Sequence, residues 1–65
     1  MNTNAWRLGP VAEAAQEVMP LSHVALWMHT PHKHLGGQSP DQTIAAGDRQ
    51  RVLDLLAAMA EGVPL

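Results

Sequence analysis

Apolar positions along this chain recur at helical spacing, most clearly near the C-terminus. From Arg49 to about Glu61, Val52, Leu55, Leu56 and Met59 form one stripe, and Leu53, Ala57 and Ala60 widen it. At ~100° per residue the apolar arc covers about half the circumference. Asp48 precedes this segment as a cap, and Gly62 followed by Pro64 ends it. Upstream, Val11, Ala14, Ala15 and Val18 fall at i, i+3, i+4 and i+7, with Glu13, Gln16 and Glu17 opposite. That pattern predicts a helix from Pro10 to Met19, which Pro20 breaks. A second helix is expected from Leu21 to His29, with Leu21, Val24, Ala25 and Met28 as its stripe. Leu26 and Trp27 point elsewhere, so this helix is apolar around most of its girth. Such a helix is enclosed by its neighbours or by another subunit. A third, from Pro40 to Ala46, turns Ile44 and Ala45 inward and stops at Gly47.

The stretch from Trp27 to Pro40 joins the second helix to the third. Thr30 precedes Pro31 and is pushed out of the α region, so the incoming helix ends near His29. Gly36 and Gly37 permit backbone angles that a Cβ disfavours. Ser39 and Pro40 start the next helix, the hydroxyl accepting from a free N–H and the proline filling the first helical position. Trp27 is expected in the core, where truncation to alanine would cost about 3–5 kcal/mol.

Composition narrows the reading. The chain has 65 residues and no cysteine, so no disulfide braces it. It is 46% apolar yet only 3% aromatic, which favours helices over a β-sandwich. The expectation is an all-α fold: four short helices in a small bundle, the last the longest. Residues 1–9 form an irregular tail, and residues 10–65 a single domain. Domains of this size bury only about 60% of their unfolded surface. The wide apolar arc of the last helix therefore points to a homo-oligomer or a protein partner. Arg51 and Asp54, three residues apart on its exposed side, make at best a weak pair.

The formal net charge of −2, with four Lys and Arg, gives no basic footprint for nucleic acid. No apolar run approaches the ~18 residues that span a bilayer, and no signal-peptide pattern opens the chain. The default compartment is the cytoplasm. His23, His29, His32 and His34 invite a metal reading, but no HExxH pair exists and cysteine is absent. His32, Lys33 and His34 are read as a solvated, weakly basic loop. Ser22 and Ser39 lack a nucleophile-elbow context, and Gly36-Gly37 is too short for a phosphate loop. No catalytic, cofactor or metal residue is assigned.

One ordered set remains: Trp27, Pro31, Leu35-Gly36-Gly37 and Ser39-Pro40, then a short helix, Gly47, and a leucine-rich helix ending at Gly62. It resembles the toxin-binding domain of Xre/MbcA/ParS-type antitoxins over about residues 20–64. Those proteins show a Trp-Leu pair, a proline-containing loop, Leu-Gly-Gly, a Ser/Thr-Pro helix start and a terminal amphipathic helix. Here Met28 follows the tryptophan, and Asp41-Gln42 stands where the family often has Leu-Glu. The resemblance implies a non-enzymatic module that docks on a RES-type toxin, an NAD-consuming enzyme, and neutralises it. Many such antitoxins also carry a helix-turn-helix domain. The ~19 residues ahead of the resemblance are too few for one, so direct DNA binding is not expected. Partner contacts are expected from Arg51, Leu53, Asp54, Ala57 and Glu61, with Val63 and Leu65 reaching toward the toxin's active site. A helical homo-oligomerisation module, or a shortened relative without a toxin, is the alternative.

Overall fold

A computed structural model describes residues 9–62, and every regular element in that span is helical. In chain order these are α1 (Pro10–Gln16), α2 (Leu21–Met28), a 3-10 turn (Lys33–Leu35), α3 (Pro40–Ala45) and α4 (Arg49–Ala60). The fold is all-α, and α4, with 12 residues, is the longest element. Of the expected N-terminal tail, residues 1–8 lie outside the described residues, and Gly9 is the N-cap of α1.

The core is drawn from nearly every element. Val11 and Ala15 come from α1, Val24 and Met28 from α2, Leu35 from the 3-10 turn, and Val52, Leu55 and Leu56 from α4. Helix α4 packs against α1, α3 and the 3-10 turn, whereas α2 packs on α1 and α3. The expected stripe of α4 is therefore the inner face, with Met59 half-buried at its end. Leu53 packs half-buried against the same core, so it widens the inner face rather than standing out as a free anchor.

Helix α1 begins as its sequence suggests, with Pro10 in the first turn and the Gly9 carbonyl accepting from the Ala12 and Glu13 N–H groups at 3.1 and 3.4 Å. It ends earlier than Met19. Glu17 to Met19 continue as turns, the Val18 and Met19 N–H groups both donating to the Ala15 carbonyl. Pro20 sits in extended backbone at φ −65°, ψ 152°, and the residue before a proline is driven from the α region. Ala12, not Ala14, completes the buried face.

Helix α2 buries Val24 and Met28 as expected but leaves Leu21 and Leu26 exposed. The expectation that Leu21 faces the core is corrected. With neighbours on two flanks only, an eight-residue helix keeps part of its circumference open. Trp27 is half-buried against the core, not enclosed by it.

Helix α3 is defined at both ends. The Ser39 hydroxyl accepts from the Gln42 N–H at 3.2 Å, and the Gln42 side-chain oxygen accepts from the Ser39 N–H at 3.0 Å. This reciprocal capping box satisfies two N–H groups that a helix start otherwise leaves free. Its inward residues are Pro40 and Thr43, while Ile44 is half-buried and Ala45 exposed, contrary to expectation. Thr43 tolerates burial because its hydroxyl donates to the Ser39 carbonyl at 3.0 Å, leaving no unmet polar group. At the other end Gly47 adopts φ 91°, its N–H donating to Ile44 and that of Asp48 to Thr43, the paired bonds of a Schellman stop. Asp48 does occupy the N-cap position of α4, but its carboxylate makes no capping bond. The Schellman closure holds its backbone at φ −111°, ψ 52°, away from the extended conformation such a bond needs. Ser39→Ala is expected to cost about 1 kcal/mol, lowering the melting temperature by roughly 4–8 °C in a domain this small. An unchanged melt would show that the capping box contributes nothing.

Candidate functional site

Two surfaces contain the residues singled out above: the Trp27–Pro40 connector and the outer face of α4. The connector is a closed loop. Thr30 ends α2, its hydroxyl donating to the Leu26 carbonyl at 2.7 Å. The His32 N–H donates to the Gln38 carbonyl at 3.0 Å, and the His32 carbonyl accepts from Leu35 and Gly37. Gly36 and Gly37 reverse the chain at φ 67° and 83°, a consecutive left-handed pair that residues with a Cβ rarely adopt. A Cβ would meet nothing within 4 Å at either position, so conformation rather than space requires glycine. The reversal turns Leu35 into the core, whereas Lys33 and His34 before it remain outside.

His32 is not the freely solvated residue expected. It is half-buried, its ring meets Trp27 edge-on at 6.5 Å, and its Nδ1 accepts from the His34 N–H at 3.1 Å. An accepting Nδ1 puts the proton of the neutral ring on Nε2. At the base of the connector, His29 Nδ1 lies 3.3 Å from Asp41 Oδ2, joining the end of α2 to the first turn of α3. That contact was not foreseen. Of the connector residues, Leu35, Ser39 and Pro40 are buried, Trp27 is half-buried, and Pro31, Gly36 and Gly37 are exposed. The connector is thus a positioning device. It fixes the joint between α2 and α3 and supplies one core leucine. Among the described residues no three His, Asp or Glu side chains converge as a ligand set.

The outer face of α4 is different in kind. Asp54, Ala57 and Glu61 are spaced three and four apart, so they share one side of the helix. All three are exposed, as is Arg51, and Leu53 forms the half-buried edge of the strip. Arg51 and Asp54 form no ion pair; the Asp54 carboxylate accepts instead from the Gln50 side-chain amide at 2.9 Å, one helical turn away. The strip is therefore a surface of two exposed carboxylates with one small residue, Ala57, between them along the helix. Val63 and Leu65 lie outside the described residues. Among those described, no helix is long and apolar enough to cross a membrane.

Comparison with known proteins assigns this architecture. The sequence profile of the antitoxin Xre/MbcA/ParS C-terminal toxin-binding domain matches residues 14–62. The chain belongs to this family. The match takes in α2, the connector, α3 and α4, together with the end of α1. Among curated relatives, the mycobacterial cidal antitoxin MbcA of Mycobacterium tuberculosis is 43% identical over 56 residues, covering 86% of this chain and 50% of the relative. MbcA of Mycobacterium bovis matches at the same identity and coverage. A chain in the crystal structure of the M. tuberculosis MbcT–MbcA toxin–antitoxin complex superposes with a TM-score of 0.81 at 42% identity, covering 85% of this chain and 50% of that one. The chain spans about half the length of the relatives it matches. Both the family and the all-α fold expected from the Trp27-to-Gly62 motif set are thus established.

Proposed function

We propose that this chain docks on and neutralises an NAD-consuming toxin of the RES type, and that it acts by binding, without catalysis of its own. The observation that carries the reading is the close structural agreement with a chain of a toxin–antitoxin complex at 42% identity. The outer strip of α4 supports it. Asp54 and Glu61 offer carboxylates to a partner, Ala57 lets it approach closely between them, and Arg51 adds a charge at the rim. Val63 and Leu65, expected from the sequence to reach the toxin's active-site mouth, lie outside the described residues. The chain acts as a homo-oligomer, and because NAD is held in the cytoplasm, that is the compartment of action. The acidic balance of the chain, net −2, favours a protein partner over direct contact with DNA.

Co-expression with a RES-type toxin, sought first in the neighbouring reading frame, tests the proposal. Cells making the toxin alone are expected to lose NAD and stop growing. Cells making both proteins should keep NAD and grow, and the two proteins should co-purify. Continued NAD loss with no complex formed would overturn the proposal and favour a helical assembly module without a toxin partner.

A further inference from the structure

We infer that the charges of α4 orient the toxin, so that the toxin surface opposite the start of this helix is acidic and the surface opposite its end is basic. The inference rests on the toxin-binding reading and adds which charges the partner must carry. A helix has a partial positive charge at its N-terminus and a partial negative charge at its C-terminus, so acidic residues suit its first turn and basic ones its last. Helices α1 and α3 follow this preference, with Glu13 and Asp41 in their first turns. Helix α4 reverses it at both ends. Its first turn holds Arg49 and Arg51 and no acidic residue, its last turn holds no basic one, and Glu61 is the C-cap. Asp48 at the N-cap offsets one arginine, not both.

Among the described residues nothing compensates these placements. Arg49, Arg51 and Glu61 are exposed, and the ion pair that those residues form joins His29 to Asp41 elsewhere. The isolated helix therefore loses a little stability at each end. What the arrangement gains is a field. Positive side chains at the positive end and a negative one at the negative end add to the backbone dipole instead of cancelling it. Arg51 and Glu61 are ten residues apart, about 15 Å along the axis at 1.5 Å per residue. That exceeds the ~8 Å screening length of physiological salt, so a protein arriving at the strip meets the two ends as separate charges. Asp54 lies between them, its Oδ1 accepting from the Gln50 amide at 2.9 Å, and carries the acidic part toward the middle of the helix. A surface with acidic side chains toward Arg49 and Arg51 and basic ones toward Asp54 and Glu61 is drawn in by one orientation. Turned end for end, the same surface sets like charges against each other. The stability given up by α4 is thus matched by a directional signal that only a partner can use.

The double variant Arg51→Glu/Glu61→Lys tests this, because it inverts the order of charge and leaves the net charge at −2. Stopped-flow association of the full chain with the RES-type toxin recovered by co-expression is measured at low and high salt, and the free chain is melted by circular dichroism. The double variant should associate at least about tenfold more slowly at low salt, and the difference should shrink as salt rises. Free of toxin, it should melt about 4 °C higher than the unmodified chain, since both ends now suit the dipole. The two single variants shift net charge in opposite directions, yet both should slow association. Equal rates for the double variant, or one single variant slowed and the other hastened, overturn the inference and leave the toxin-binding reading standing. A double variant that melts no higher also overturns it, because the charges would then serve the fold. An unmodified chain that binds no toxin at either salt refutes the toxin-binding reading, and this inference falls with it.

Discussion

Leu56→Ala is expected to leave the chain largely unfolded at room temperature. Leu56 is fully buried, at 0% exposure, and sits at the middle of the one helix that meets α1, α3 and the 3-10 turn. Truncating a leucine in such a position costs about 2–5 kcal/mol, the upper part of the range applying where surrounding atoms cannot collapse into the gap. Helix α4 is held against three other elements, which restrains collapse around the gap. A single core in a chain of this length supplies roughly 3–5 kcal/mol in total, so the loss is comparable to the whole stability. Trp27→Ala should cost less than Leu56→Ala, although tryptophan is the larger side chain, because Trp27 packs at the margin of the core and keeps part of its surface in water. Circular dichroism with urea titration of both variants orders them. A cooperative melt for Leu56→Ala within a few degrees of the unmodified chain would show that the core does not depend on this residue.

The parts of this fold that were legible in the sequence are those that local chemistry decides. Ser39-Pro40 specified the start of α3, and Gly36, Gly37 and Gly47 marked reversals that left-handed backbone then required. Periodicity found the inner face of α4 because Val52, Leu55 and Leu56 meet a neighbour along the whole stripe. The same reasoning failed at Leu21, since periodicity gives the direction of a side chain and not whether another element reaches it. It also missed Thr43, whose burial depends on a hydrogen bond to Ser39 four residues back and not on its hydrophobicity. His32 was misjudged because its contact with Trp27 exists only once the loop has closed. The site was less legible than the fold. The motif set identified the family, but the exposed leucines are on α2, not α4, and that distinction appears only when packing is known.

Ala57→Arg is expected to abolish neutralisation while leaving the domain folded. Ala57 is exposed in the last turn of α4. Arginine is a good helix former, and a positive charge near a helix C-terminus is favourable, so the isolated chain should change by no more than about 0.5 kcal/mol. Against a docked toxin the same substitution inserts a long cationic side chain where a methyl group stood. Asp54 and Glu61 can pair its charge, so the cost lies in bulk: overpacking a closed contact costs about 1–3 kcal/mol, which lowers affinity by about tenfold to a hundredfold. Arg51→Glu provides the contrast. At the rim it should slow association and change its salt dependence while leaving most of the affinity intact. Titration of toxin against each variant, with NAD measured in co-expressing cells, separates the two. Cells carrying Ala57→Arg should lose NAD as though no antitoxin were present, even though the variant melts like the unmodified chain. Full protection by Ala57→Arg would remove the outer strip of α4 from the toxin contact and transfer the search to the segment after Gly62.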